Sequence, residues 1–406
     1  MSNWRETTLG KVANVFTGYP FKSELYSTGD QDVRLLRGDN ISQGAMDWSD
    51  ARKWPAEQLN DFEEYQLKED DIVLAMDRPW IGAGLKFSQI IKSDLPALLV
   101  QRTARLRGSN DLDIGYLKYV IGSPWFTSYI KRITTGSLVP HISLKQIRDF
   151  PVKLPPIEEQ KAAAAVLLAI DKKIELNNRI NAELEAMAKT LYDYWFVQFD
   201  FPDDSPQGQG KPYKTSGGKM VYNPTLKQEI PEEWEAVSVG KIVDIKTGKE
   251  DANYATERGK YHFFTCGESA LRCDDFVFEG KAVLLAGNGS FSVKRYEGKF
   301  NAYQRTYVLI PKQDELYAPL YFAVNDKVKT LTSGSRGSIV KFITKGDIED
   351  IYLPLPTNRK LEFVKTLNVC FKESSRLYEQ NLELVSLRDW LLPMLMNGQV
   401  TVGEAS

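Results

Sequence analysis

WEAVSVGKIVDIKTG (residues 234–248) repeats, 230 positions on, the opening stretch WRETTLGKVANVFTG (residues 4–18). Trp4 and Trp234, Gly10 and Gly240, Lys11 and Lys241, Thr17 and Thr247, and Gly18 and Gly248 fall in register, and several other pairs exchange one branched aliphatic residue for another. Three further blocks follow in the same order. IVLA (72–75) matches VLLA (283–286) at an offset of 211, VQRTARL (100–106) matches YQRTYVL (303–309) at 203, and GSLVPHISLKQIRDFPVKLP (136–155) matches GSIVKFITKGDIEDIYLPLP (337–356) at 201. One short match could arise by chance, but four collinear matches define a duplicated module. The fall of the offset from 230 to 201 gives the first copy roughly 29 residues that the second lacks.

Within each module the texture is mixed. DIVLAM and KAVLLA are short apolar runs bounded by turn residues, the pattern of buried strands. Residues 114–133 carry Leu117, Val120, Ile121 and Phe126 at helical spacing, interrupted by Pro124. The fold class is therefore α+β, twice over. Both modules stop at prolines, LPP (154–156) and LPLP (353–356), and a different texture follows each stop.

Residues 157–196 contain no glycine or proline, and Glu158 and Glu159 open the stretch where carboxylates favour a helix dipole. Leu167, Ile170, Ile174, Asn177, Asn181, Leu184, Ala188 and Leu191 alternate by three and four, a heptad seam. Forty residues at about 1.5 Å each make a rod on the order of 60 Å long. The second copy approximates the same seam at Leu367, Cys370, Ser374, Leu377, Asn381, Leu384, Leu387 and Leu391, with Pro393 bending the last turn before Asn397-Gly398 ends it. Two such amphipathic helices in one chain bury their seams by pairing, and with a whole globule between them they can run antiparallel. A seam asparagine costs stability and fixes register. Asn177, Asn181 and Asn381 are therefore either alignment devices or tolerated polar sites at a solvated edge. Residues 199–235, rich in Gly, Pro, Ser and Lys, have linker composition.

With 406 residues, 42% hydrophobic and 26% charged, the chain has room for two or three domains with real cores. No run of about 18 apolar residues is present, so no membrane partner is expected, and MSNWRETT lacks a signal-peptide pattern, which places the protein in the cytoplasm. Cys266, Cys273 and Cys370 fall at no metal-type spacing, and two histidines, His141 and His262, leave a zinc site short of ligands. The net charge of −2 hides local contrasts. EQLNDFEEYQLKEDD (57–71) carries seven acids against one lysine, whereas cations gather at Arg102, Arg105 and Arg107, at Lys294, Arg295, Lys299 and Arg305, and at Lys329, Arg336, Lys341 and Lys345.

Catalytic patterns are missing. There is no GxxxxGKS or GxxxxGKT phosphate loop, no glycine-rich methyl-donor loop and no Asn-Pro-Pro-aromatic motif; YNPT (222–225) is a weak imitation. An acid followed by Glu-x-Lys can be laid over Asp275 and EGK (279–281), or over EGK (297–299), but both segments have the texture of strand edges or turns.

Taken together, these motifs resemble the specificity subunit of type I restriction–modification enzymes, over nearly the whole chain. LPPIEEQKAAAAVLLAIDKKIELNNRINAELEAMAKTLYDYWFVQFDFP resembles that family's central conserved region, LRDWLLPMLMNGQV (387–400) its distal one, and IPEEWE the start of its second recognition domain. The resemblance implies a first target recognition domain over 1–155, a central conserved helix over 156–198, a linker over 199–232, a second target recognition domain over 233–356 and a distal conserved helix over 357–400. It implies that each domain reads one half of a split site in double-stranded DNA. It also implies that the two helices, as an antiparallel coiled coil, set the spacing and dock two methyltransferase subunits, to which motor–nuclease subunits are added. The chain is then non-catalytic and holds no cofactor, with S-adenosylmethionine, ATP and Mg on the partner subunits.

Under this resemblance the candidate DNA contacts are Arg102, Arg105, Ser137 and His141 in the first module. In the second they are Lys294, Arg295, Arg305, Arg336, Ser338 and Lys341. The Gly-Ser loops let backbone approach a phosphate and the cations position the duplex. The shared arginines have a second reading, as bridges between strands inside each module. Residues common to both modules are poor readers of two different half-sites, so base recognition is expected where the copies diverge, including the extra segment of the first. Two other classes stay open: a coiled-coil assembly scaffold that binds protein, and a self-contained nuclease or methyltransferase.

Overall fold

The computed structural model describes residues 4–82, 84–134, 140–203, 205–206, 208–332, 342–358 and 361–402. The chain forms two compact units, one built from residues 1–174 and 383–406, the other from residues 175–382. Each therefore holds one repeat together with part of each long helix.

In the first unit, Arg5–Thr8 pairs antiparallel with Pro151–Leu154, closing the module's ends on one another. A four-stranded antiparallel sheet runs in the order Asn14–Thr17, Thr103–Arg107, Ile72–Ala75, Phe87–Gln89. Its central strand reads Ile-Val-Leu-Ala with every side chain buried, as a strand covered on both faces requires. A second sheet orders Lys53–Trp54, Val33–Leu36 and Ala97–Leu99. The helices Ile114–Gly122 and Pro124–Thr134 divide at the proline, which has no N–H for the preceding helix and starts the next one.

The second unit repeats the frame. Trp234–Ser238 pairs antiparallel with Tyr352–Pro356, and Val243–Thr247, Thr306–Pro311, Phe278–Ala286 and Val293–Ala302 form the corresponding ladder. Here the sheet continues without a break through Tyr261–Phe264 to Leu271–Cys273, making six strands. The difference lies in one connection. Val293–Ala302 is an unbroken ten-residue strand, whereas its counterpart in the first unit is cut into Phe87–Gln89 and Ala97–Leu99 by a 3-10 turn at Lys92–Asp94. Asp94 holds that turn, accepting from the Ile91 N–H at 2.9 Å and from Trp48 Nε1 at 2.7 Å.

The central helix runs Ile157–Tyr192 and the distal helix Lys365–Asn397. In the first unit the beginning of the central helix packs with the end of the distal helix. Ala163, Ala164 and Leu167 share one buried core with Leu392, Leu395 and Met396, on the module's own Tyr116, Leu117 and Phe150. In the second unit the end of the central helix packs with the beginning of the distal one, through Ala188, Tyr192, Leu367 and Phe371. The two helices are therefore antiparallel within each unit.

In each unit an amide side chain of a long helix also ties it to the module's backbone. Gln160 is 1% exposed; its Nε2 donates to Asp111 O and Pro155 O, each at 2.9 Å, and its Oε1 accepts from the Asp113 N–H. Asn368 does the same in the second unit, donating to Asp314 O and Glu315 O and accepting from the Ala318 N–H.

The segment expected as a linker, 199–232, is folded. Pro202–Asp203 pairs with Lys211–Pro212, and Met220–Asn223 with Gln228–Pro231. Its composition does encode turns, but Phe199 and Phe201 lie against Trp234, with ring centroids at 5.8 and 4.8 Å, and anchor the hairpins to the second unit. The distal helix ends where the sequence places the stop, with Gly398 at φ +76° and the Gln399 and Val400 N–H groups returning to Met394 O.

Candidate nucleic-acid interface

The duplicated Gln-Arg-Thr motif forms a tight turn closed by matching hydrogen bonds in both units, with Arg102 but not Arg305 at positive φ. Gln101 N–H donates to Tyr19 O and Thr103 N–H to Val100 O; Gln304 N–H donates to Glu250 O and Thr306 N–H to Tyr303 O. Both threonines are buried, while Arg102 and Arg305 are exposed at the tip. The glycine of the opening motif lies under each turn. A Cβ on Gly18 would stand 2.3 Å from Val100 C, and one on Gly248 would stand 1.8 Å from Ala302 O, so neither place admits a side chain. The repeat thus retains what the turn's backbone requires.

Around Arg102 the first unit gathers charge. A groove of about 880 Å³ is lined by Arg37, Arg52, Arg78, Lys86 and Arg102, with Asp39 and Asp77 as its only carboxylates among the lining residues. Arg37 pairs with Asp39 at 3.3 Å and Arg102 with Asp77 at 3.0 Å. Asp77 also faces His141, Oδ1 to Nδ1 at 2.5 Å. Burial pushes the Asp77 carboxyl up, but the hydrogen bonds from His141 and Arg102 outweigh it and hold the group below the usual carboxylate range. Five cations on a polar concave surface suit a polyanion, and such a groove attracts one over distance.

The second unit has loops at the corresponding place. Ser290 Oγ donates to Cys266 O at 2.7 Å, and Cys266 Sγ lies 3.6 Å from Arg305 O. The turn, the 265–270 loop and the 286–292 loop therefore converge, and Gly289 and Phe291 adopt positive φ there.

Three of the expected DNA contacts are corrected. Arg105 is 5% exposed; its guanidinium donates to Glu64 O and Asn14 Oδ1 and lies over the Phe16 ring. It lies on the face of its strand opposite the core residues Ala104 and Leu106, and Glu64 of the acid-rich 57–71 segment covers it. Lys294 spends its ammonium on the carbonyls of Thr265 and Gly267, a half-buried place that lowers its proton affinity. Arg295 has a side chain only 11% exposed and bolts the sheet to the helices, reaching Glu185, Ser374 and Ser375 over the Phe371 ring. Arg102, His141 and Arg305 remain exposed. Ser137, Arg336, Ser338 and Lys341 lie outside the described residues.

Of the seam residues, Leu167, Ile170, Asn177 and Leu377 are buried, and Ile174, Asn181, Leu184, Leu191, Asn381, Leu384 and Leu391 are half-buried. Asn177 Nδ2 donates to Asn381 Oδ1 at 2.8 Å and to Gln380 Oε1 at 2.9 Å, and Asn381 Nδ2 donates to Asn178 Oδ1 at 2.8 Å. These bonds are specific to one alignment of the two helices.

Asp77, Arg37, Arg52, Arg78 and Lys86 escaped the sequence reading because they are scattered between positions 37 and 86 and only folding brings them to one groove. One signal was legible: Asp77 follows the shared IVLA block and has no acidic counterpart after VLLA.

Comparison with known proteins agrees with this architecture. Residues 1–186 and 231–383 match the family model described as the type I restriction modification DNA specificity domain. The chain is 42% identical over 178 residues to the EcoDI type I restriction enzyme specificity subunit of Escherichia coli, covering 43% of this chain and 40% of that one. It is 21% identical over 412 residues to the EcoBI specificity subunit of Escherichia coli, covering 93% of this chain and 81% of that one. Among the curated relatives more than 30% identical, the chain spans under half of each one's length. The crystal structure of a type-I restriction-modification system S subunit from M. genitalium superposes with a TM-score of 0.62, covering 97% of this chain and 96% of that one at 15% identity, a likeness of fold.

Proposed function

Because this chain belongs to the type I restriction modification DNA specificity family, we propose that it is the sequence-recognition subunit of a type I restriction–modification complex. Each unit reads one half of a bipartite site in double-stranded DNA. The paired helices dock two methyltransferase subunits and set the gap between the half-sites, and motor–nuclease subunits join that core. The chain itself carries out no chemistry; S-adenosylmethionine, ATP and Mg act on its partners.

The observation that carries this reading is the cationic groove beside the Arg102 turn. Its lysine and arginines are suited to phosphates, and its location on a turn repeated in the second unit fits a protein that meets DNA twice. Exchange of residues 233–356 for the second module of another family member tests the reading. Methylome sequencing of a host carrying the chimera is expected to show one half of the modified motif changed and the other retained. Change in both halves, or in neither, refutes the two-reader assignment. Loss of all salt-sensitive duplex binding by the assembled wild-type complex would leave the scaffold reading in its place.

A further inference from the structure

The arginine turn is shared by the two modules, but what holds its arginine is not. Backbone hydrogen bonds fix the equivalence of positions. Met76 N–H donates to Arg102 O at 3.0 Å and Met76 O accepts from Ile142; Gly287 N–H donates to Arg305 O at 2.9 Å and Gly287 O accepts from Ile343. The next residue is Asp77 in the first module and Asn288 in the second, and the residue before the shared isoleucine is His141 in the first and Phe342 in the second. A carboxylate therefore grips Arg102, through Nη1 to Asp77 Oδ2 at 3.0 Å, and is itself braced by His141. At Arg305 the corresponding positions carry an amide and an exposed phenyl ring.

We propose that Arg102, positioned by Asp77, reads a guanine in the half-site bound by the first unit. This deepens the function proposed above and rests on it. The argument begins with the carboxylate. A residue that only meets phosphates gains nothing from a neighbouring negative charge, which repels the same phosphates. A residue that reads a base edge gains orientation. Guanidinium offers five N–H donors in a rigid plane. One nitrogen is committed to Asp77, and the side chain is still 69% exposed. Its remaining edge has the spacing of guanine O6 and N7, the pairing that arginine makes most often in the major groove. Tethering removes rotamers before binding, so less entropy is lost on contact.

The backbone agrees. Arg78, next to Asp77 in the chain, and Arg102, bonded to it, have φ of +46° and +63°, a left-handed region that residues with side chains adopt rarely and that concentrates at functional sites. Arg52, Arg78 and Lys86 line the same groove and can position the phosphates. An arginine common to both modules thereby becomes specific to one of them, through partners that the modules do not share.

The test uses the full chain assembled with its methyltransferase subunits and a randomised duplex DNA library, selected at one fixed salt concentration. Wild type, Asp77→Asn and Arg102→Lys are compared, and the salt slope of each on a non-specific duplex is measured alongside. Wild type is expected to select a two-part motif with a G·C pair in one half. Both variants should lose discrimination at that one pair by roughly ten- to hundredfold. They should keep the other half intact and keep the salt slope, since lysine preserves the charge and asparagine removes none from the cations. Uniform weakening across all sequences would make Arg102 a phosphate contact and overturn the proposal. Loss at a position other than G·C, or an unchanged motif in both variants, overturns it as well. A wild type that selects no two-part motif refutes the recognition function itself, a result distinguishable from an unaltered motif.

Discussion

The turn at Arg102 and the turn at Arg305 share their hydrogen bonds but not their chemistry, and of the two arginines only Arg102 has positive φ. Glycine beneath, buried threonine behind and the same hydrogen bonds recur in both, whereas the side chains that face the arginine have diverged from Asp and His to Asn and Phe. Selection on the fold keeps the atoms that the chain cannot move. Selection on recognition is free to change whatever projects from them. The same contrast separates the two tryptophans that open the modules. Trp234 is 7% exposed among Phe196, Phe199 and Phe201, while Trp4 is half-buried beside Gly398.

The largest effect that can break this comparison is at those tryptophans. Trp234→Ala is expected to cost about 3–5 kcal/mol, the usual loss for a large aromatic removed from a core. Trp4→Ala should cost about 1 kcal/mol, as less area is buried there. Hydrogen exchange in Trp234–Ser238 and in Arg5–Thr8 reads the two units separately; equal losses would mean that the modules use their first residue alike.

Next come two arginines of the second unit. Arg295→Ala removes charged hydrogen bonds from a largely buried place and should destabilise by about 2–3 kcal/mol. Arg305→Ala should stay within about 0.5 kcal/mol in stability and lower the salt slope of DNA binding by about one. The reverse pattern would exchange the structural and interface roles.

A smaller effect concerns the helix seam. Asn177→Ala is expected to cost about 1–2 kcal/mol, because Asn381 Oδ1 loses its donor. Asn177→Leu with Asn381→Leu should be near neutral, leaving a coupling of at least about 0.5 kcal/mol in a double-mutant cycle. Strict additivity would remove these asparagines as a register device.

The smallest is a pH effect at Asp77. Its folded pKa lies below the ordinary 3.8, so its contribution to stability is complete above that value and is lost as pH falls through the folded value. An NMR titration of its carboxyl group gives the check, and a midpoint above 3.8 would contradict it.

Much of the architecture was legible because it rests on periodicity and repetition. Four collinear blocks gave the duplication, and heptads gave the central helix within a few residues of Ile157–Tyr192; the distal helix, expected from residue 357, begins only at Lys365, after a 3-10 turn at Glu362–Val364. The broken sheet of the first unit was not legible, since Lys92–Asp94 looks like any polar turn until Asp94 is seen to gather Ile91 and Trp48. The 199–232 segment misled because composition reports turn content and not whether Phe199 and Phe201 find a core. At the candidate interface, the sequence could mark cations but not their direction. Arg105 and Arg102 are three residues apart, yet one points under the acid-rich segment and the other into solvent. Strand alternation sets Arg105 opposite the core residues Ala104 and Leu106, so its burial depends on a segment distant in sequence that alternation does not report.

The first unit draws its core from both ends of the chain, with Leu392, Leu395 and Met396 packed on Ala163, Ala164 and Leu167. The second, by contrast, is one uninterrupted stretch. A ribosome therefore makes the pieces out of order. The module synthesised first is the one that waits, its apolar helix face uncovered until residues 383–406 emerge, while the module synthesised second can be complete before it. Removal of residues 383–406 would therefore uncover Ala163, Ala164 and Leu167 in the first unit and leave every residue of the second in place.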